Sequence, residues 1–346
     1  MKKICLLFLL LPLLILPVHA EEFSAPDPPA SVRDMVPEEP ETFGEGLWYV
    51  IRSAVPVLQP SLARAGGLCL CILAASLLGA VPAAFPAQSS RFSGLLLCTA
   101  VSVILLAPSG ALIQLGISTV NDLSEYGKLL LPVLTGAMAA QGGVSASAAL
   151  YAGSAFFTVF LAAVIRKLTI PLIYLFLCLS AAGCALGQDV LIKFRDFLHW
   201  LMVWSLKLIL YIFTGYIGIT GIVSGSADAA ALKAAKLTIS GMIPVVGGIL
   251  SDASEAVLVG AGVMKSAAGI SGMLAVLAIC LEPILKTGVQ YLMLKITSAV
   301  SHLFAPAALS ELTEQFSSAM GILLAATGTM CLMLLISTAC FMKGAG

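Results

Sequence analysis

Between residues 65 and 342 the sequence keeps returning to apolar runs about 20 residues long, the length a helix needs to cross a hydrocarbon core ~30 Å thick. Inside lipid every backbone N–H and C=O must be paired within the protein, so only helices and closed barrels survive there. Hydrophobic residues make up 60% of the chain and charged residues 10%, against roughly 25% charged in soluble domains. The fold class this dictates is all-α, a polytopic membrane helix bundle with about eight spans. Candidate spans fall at Ala65–Ala84, Phe92–Ile113, Leu129–Leu150, Tyr151–Ile165, Leu168–Gln188, His199–Val223, Ile270–Leu285, Lys286–Phe304 and Ser318–Met342. The partner these runs imply is the lipid bilayer. The 18 basic and 18 acidic residues balance and form no basic patch, so nothing points to nucleic acid.

The N-terminus divides into two pieces ahead of this region. Residues 1–20 read as a secretory signal: Lys2 and Lys3, a short apolar core broken by Pro12 and Pro17, then Val18, His19 and Ala20 before Glu21. The alternative is an uncleaved first anchor. Residues 21–60 hold an extracytoplasmic arm and an amphipathic approach with Trp48 and Tyr49. Between Glu21 and Glu45 the arm has eight acidic residues against Arg33 alone, with five prolines. Such a stretch cannot bury enough apolar surface to fold by itself, and it reads as a solvated tether or a docking arm. The polytopic domain is then 61–346. A cleaved signal puts the mature N-terminus outside, and Arg91 suits a cytoplasmic loop. Asn121, Asp122, Glu125 and Lys128 suit an external loop, and Arg166 with Lys167 suits a cytoplasmic one. The last assignment requires Leu129–Ile165 to cross an odd number of times, with Gln141-Gly142-Gly143 as a kink or partial re-entry. The side of the C-terminus stays open.

One stretch breaks the pattern of plain spans. From Lys233 to Lys265 the chain carries Gly241, Pro244, Gly247, Gly248, Gly260 and Gly262, together with Asp252 and Glu255. Irregular backbone at membrane depth persists only where protein or a watery cavity surrounds it. A broken or re-entrant segment near 240–265 is expected, with Pro244, Gly247, Gly248, Asp252 and Glu255 as candidate gate or pore lining. Lys233 and Lys236, three apart on an Ala-rich amphipathic helix over Asp228–Ile239, are the candidate partner-facing pair.

Three further ionisable residues lie within apolar runs, where a charge costs roughly 2.5–3.5 kcal/mol on insertion scales. Glu282 and Lys286 are spaced to share a helix face with Pro283 between them. They are either a contact in a pore wall or a charged turn between two spans. Lys207, between Trp204 and Tyr211, either snorkels or faces a functional cavity. Small residues at Gly183 and Gly187, and at Gly215, Gly218 and Gly221, are spaced for close helix approach.

Enzyme chemistry finds little support. Gly269-Ile270-Ser271-Gly272 matches the G-x-S-G pattern of rhomboid intramembrane proteases, which would require His199 or His302 to activate Ser271. There is no phosphate loop and no H-E-x-x-H. No catalytic, cofactor-binding or metal-binding set emerges. Cys69, Cys71, Cys98, Cys178, Cys184, Cys280, Cys331 and Cys340 all sit in apolar runs and read as small buried hydrophobes without a disulfide framework.

The text Lys236-Leu-Thr-Ile-Ser240, then Ile243-Pro-Val-Val-Gly-Gly248, then Leu250-Ser-Asp-Ala253 with Glu255-Ala-Val257, resembles the stage III sporulation protein AE family of endospore-forming bacteria. The resemblance extends over roughly residues 45–340. It implies a non-enzymatic subunit of the channel or secretion-like assembly linking mother cell and forespore during engulfment. The location implied is the mother-cell membrane surrounding the forespore. The partners implied are other membrane and ring-forming channel subunits and a separate cytoplasmic ATPase. No catalytic residue is carried over. The residues alone leave two rivals, a stand-alone secondary transporter and a structural membrane scaffold.

Overall fold

The structure, a computed structural model, describes residues 25–37, 42–80, 90–140, 144–219 and 267–344. All regular structure among them is helical. A 3-10 turn at Arg33–Met35 precedes α1 (Phe43–Ala80), α2 (Ser90–Ala140) and α3 (Val144–Val164). A π-helical turn at Ile165–Thr169 passes directly into α4 (Ile170–Leu186), followed by α5 (Asp189–Ile219), α6 (Ala267–Ser301) and α7 (Ala307–Gly344). The signal segment 1–20, the Gln141–Gly143 kink, the Asp228–Ile239 helix and the whole Lys233–Lys265 region lie outside the described residues.

Among the described residues six helical segments are long and apolar enough to cross a membrane, against the eight or so expected. Among the described residues, neighbouring candidate spans merge where charges were read as loops. Tyr151–Ile165 and Leu168–Gln188 form one run through Arg166 and Lys167, and Ile270–Leu285 and Lys286–Phe304 form one run through Pro283. The proposed loop at Asn121–Lys128 is the interior of the 51-residue α2. A charged residue does not end a helix where its head can be paired or can snorkel from within it, as Arg166 is paired with Asn121 and Lys286 with Glu282. The approach segment up to residue 60 likewise continues unbroken into α1, despite Pro56 and Pro60.

α7 forms the axis. The most apolar window of its 307–342 segment is 94% buried, and α6, α2, α4, α3 and α5 surround it, with α1 lying on α6. Its hydroxyls bond back to carbonyls one turn earlier: Thr313 to Leu309, Thr329 to Ala325, Ser337 to Met333 and Thr338 to Leu334, at 2.7–3.1 Å. A helix rich in Ser and Thr is thereby made apolar on its outside.

Close approach is set by glycines. A methyl group built on Gly153 of α3 would fall 2.0 Å from Cε1 of Tyr216 on α5. Tyr216 in turn donates to the Ala149 carbonyl at 2.7 Å. Gly116 and Gly127 of α2 meet Leu323 and Leu334 of α7, Gly272 of α6 meets Leu130, and Gly269 meets Met342. The glycines singled out by spacing behave differently. Gly215 and Gly218 face open space, whereas Gly187 adopts φ 62°. That left-handed residue caps α4, its N–H reaching the Gly183 carbonyl at 2.8 Å, and turns the chain into α5. Cys98 and Cys184, expected as free thiols, are joined as a disulfide between α2 and α4.

Gly153→Ala is expected to lower stability by about 1–3 kcal/mol through overpacking against a hydrogen-bonded ring. Gly215→Ala is expected to be neutral or slightly stabilising, since nothing stands in the way of its methyl. Thermal unfolding of the two purified variants in detergent checks the contrast, and equal effects would contradict the packing described.

Candidate functional site: a polar layer across the bundle

The helix registers bring most of the described mid-helix polar residues to one level. α2 runs parallel to α7, with Gly116 at Leu323 and Gly127 at Leu334, which sets Asn121 opposite Thr327–Thr329. α6 runs antiparallel to α7, with Gly269 at Met342 and Gly288 at Leu324, and sets Glu282–Lys286 at the same height. α1 runs parallel to α6, with Gly46 at Leu274 and Gly66 at Met293. Pro56 falls midway between these contacts, opposite Pro283. α5 returns along α3 and α4, crossing at Gly153–Tyr216 and at Phe176–His199. Lys207 lies midway between these crossings, level with the π turn. Helix irregularities (Pro56, the π turn, Pro283) and charges therefore share one cross-section.

Within this layer the charges are handled pairwise. Arg166 Nη1 donates to Asn121 Oδ1 at 2.9 Å, and its Nε to the Ala162 carbonyl at 3.2 Å. The two residues stand at one height, so Leu129–Ile165 leaves this level and returns to it. The odd number of crossings required to make Arg166 cytoplasmic opposite an external Asn121 is thus overturned. Glu282 and Lys286 form a hydrogen-bonded ion pair on one face of α6, each side chain a little under one-third exposed. The charged turn between two spans is excluded, because α6 is continuous there. Gln290, one turn further on, is buried, and its Nε2 has no hydrogen-bond partner among the described residues. Lys207 sits on the outer surface of α5 beside exposed Trp204 and Tyr211. It does not join the Glu282–Lys286 pair: α5 packs on α4, α7 and α3, whereas α6 packs on α7, α1 and α2.

A second ionic layer, missed in the sequence, lies toward the α6–α7 turn. The buried Arg195 guanidinium reaches Glu311 at 2.9 Å and Asp196 at 2.8 Å. Lys295 holds Glu314 at 2.5 Å. His302 Nδ1 lies 3.0 Å from Ser310 Oγ, with its Nε2 3.9 Å from Glu314. The i, i+1 and long-range spacings of these pairs carry no periodic signal that a sequence reading could use. Ser310 is buried and also bonds the Ala307 carbonyl, so this contact closes a turn. Ser271 lies on α6 and His302 directly follows its last residue, 31 positions away and about 46 Å at 1.5 Å per residue, which removes that protease pairing. Among the described residues no three His, Cys, Asp or Glu side chains converge as metal ligands.

Pro244, Gly247, Gly248, Asp252, Glu255, Lys233 and Lys236 lie outside the described residues. The described site holds charge at depth inside a helical frame. Its central element is the Glu282–Lys286 pair, since removing one partner strands a partly buried charge. Glu282→Gln and Lys286→Gln should each destabilise the chain, and the double variant should lose less than their sum. The expected coupling is about 0.5–3 kcal/mol, read from thermal unfolding in detergent; strict additivity would show the pair to be incidental.

The family model described as stage III sporulation protein AE matches residues 50–345. A stage III sporulation protein AE of Bacillus subtilis (strain 168) is 24% identical over 181 residues, which cover 52% of this chain and 45% of that protein. The chain thus matches a little under half the length of that curated relative. No solved structure matches it. The family match takes in all of α2 to α7 and most of α1, the frame that carries both ionic layers: the chain belongs to the stage III sporulation protein AE family.

Proposed function

We propose that this chain is a non-enzymatic, multi-pass membrane subunit of the channel or secretion-like complex that connects mother cell and forespore, and that forespore development requires it. The observation that carries this reading is membership of a stage III sporulation family along nearly the whole polytopic region. The filled axis supports a subunit over a stand-alone transporter. α7 occupies the centre of the described bundle, so a path for cargo is shared with neighbouring chains or with residues 220–266. That segment also has the length for the two spans that would raise six to about eight. In this reading residues 1–20 are a cleaved signal and the mature N-terminus is extracytoplasmic. The protein resides in the mother-cell membrane around the forespore. A separate cytoplasmic ATPase supplies the energy, and membrane and ring-forming subunits complete the conduit. Pro244, Gly247 and Gly248 shape the path and Asp252 and Glu255 line it, with Lys233 and Lys236 toward a partner.

Chromosomal deletion, scored by microscopy of engulfing cells with a late forespore reporter, tests the role. Small forespores with a silent reporter after normal engulfment are expected, and normal spores would overturn the reading. Asp252→Ala and Glu255→Ala are expected to impair sporulation while the protein still accumulates; two silent variants would remove the lining assignment alone.

A further inference from the structure

Where the axis helix is left uncovered, it is polar. From Leu309 to Leu335 of α7 every position is buried except Glu311, Glu314, Gln315 and Ser318. Positions three and four apart share a helix face, so these four form one strip. Arg195 of α5 reaches Glu311 from one side, and Lys295 of α6 reaches Glu314 from the other. α5 and α6 both pack on α7 without a packed seam between them, and the strip is the floor of the gap they leave.

The other helices set the depth of this strip. With Gly116 at Leu323, Glu314 comes level with Ala107 of α2, and with Gly66 at Met293, Lys295 comes level with Leu68 of α1. With Phe176 beside His199, Arg195 comes level with Ser180 of α4. Each of these positions lies in a stretch without any charged residue: 65–80, 92–120 and 168–187. At 1.5 Å per residue they measure about 24, 44 and 30 Å, the span of a hydrocarbon core. Leu70, Val103 and Leu175 are exposed near the level of the strip. The apolar surface continues past it in both directions, through Leu168 toward the arm and through Leu77, Leu78, Leu95 and Leu96 away from it. The level is therefore inside the apolar belt and not at its edge. The exposed face of α3 stands higher: Thr158 lies beside Gly127 of α2, where Glu125 and Lys128 are exposed and no hydrocarbon would solvate them.

One cross-section thus carries aliphatic side chains outward on α1, α2 and α4 and charged heads outward between α5 and α6. The side chains of Lys295, Glu311 and Asp196 are 50%, 44% and 61% exposed. Ionisable groups at such depth face the protein interior or a watery cavity, not lipid. The charges already answer one another within the chain, Arg195 with Glu311 and Asp196, and Lys295 with Glu314. A neighbouring charged helix would have no missing partner to supply, and an apolar one would leave the outward half of each head without hydrogen bonds. Water supplies them.

We propose that the gap between α5 and α6 opens onto water at mid-membrane depth, and that its floor, Glu311, Glu314, Gln315 and Ser318 of α7, lines the conduit of the assembly. α1, α2 and α4 form the opposite, lipid-facing side of the chain. The ion pairs at the two edges hold the charged heads in place, and water hydrates their outward sides. One chain leaves this space open, so neighbouring chains complete its wall. The conduit rests on the reading of the chain as a channel subunit; the watery face rests on the register and exposure of the helices.

Cysteine reactivity toward a membrane-impermeant maleimide tests it, in membranes of sporulating cells that carry the full chain with its partners, opened so that reagent reaches both sides. Gln315→Cys and Ser318→Cys report the strip and leave the ion pairs intact. Leu70→Cys, Val103→Cys and Leu175→Cys report the opposite side near the same height, and the unsubstituted protein gives the background of native cysteines. The thiolate is the reacting species and hydrocarbon suppresses it, so the strip positions should label about tenfold faster or more, with the difference closing in detergent. Equal rates, or an inverted order, would overturn the proposal. Strip positions slow in these membranes but fast in the chain alone in nanodiscs would show a protein partner seated on the strip, and would overturn it as well. Fast labelling of the strip together with normal spores after deletion would keep the watery face and remove the conduit, so the two readings fail separately.

Discussion

The constraint on which the bundle depends is that polar groups carried inward must find partners within the helices. α7 shows the rule at its strictest. It is buried on nearly all sides, yet it carries Thr313, Ser317, Thr327, Thr329, Ser337 and Thr338, and every one of these hydroxyls bonds to a backbone carbonyl. Five of them use their own helix, and Ser317 reaches across to the Tyr291 carbonyl of α6 at 3.0 Å. An axis satisfied in this way presents methyl groups to its neighbours and packs like an aliphatic helix.

Once the axis is closed in this way, the glycines determine how near the surrounding helices come, and hence where their charges stand. Gly116 and Gly127 seat α2 on Leu323 and Leu334, and Gly269 seats α6 beneath Met342. These contacts fix two registers against one ruler. Asn121 and the Glu282–Lys286 pair reach a common height because of them, although nothing joins the two groups directly. The polar layer is a product of packing registers. Its members come from four helices, and the direct bonds among them are local: Arg166 to Asn121, and Lys286 to Glu282.

The helical class was legible because apolar runs of membrane length have few other fates. So was the pairing of Glu282 with Lys286, because i, i+4 spacing puts both on one face. The span count was not, for a physical reason. Arg166-Lys167, Asn121–Lys128 and Glu282-Pro283 each have the composition of a helix end, and only three-dimensional partners reveal that the helix continues. The Arg166–Asn121 bond links residues 45 apart and Arg195–Glu311 links residues 116 apart, distances at which spacing carries no information. The glycine series at 215 and 218 misled in the opposite sense. Small residues permit close approach, but whether a neighbour arrives depends on where the other helices are already held, and here Gly153 has the partner that Gly215 lacks.

A filled axis also limits where motion can occur. Displacing α7 would break packing on five helices at once and uncover its self-bonded hydroxyls, whereas α1 rests chiefly on α6, and α5 mainly on α4 and α7. Interiors packed to this degree shift between discrete arrangements and do not deform smoothly. The peripheral helices carry the breaks that make such arrangements accessible: α1 has Pro56 and Pro60 within it, and the run from α3 to α4 contains the π turn. Both irregularities fall at the polar layer, where an altered helix direction would move charged side chains such as Arg166 instead of tearing open an apolar core. A membrane protein built this way keeps its centre constant and presents any changeable surface outward.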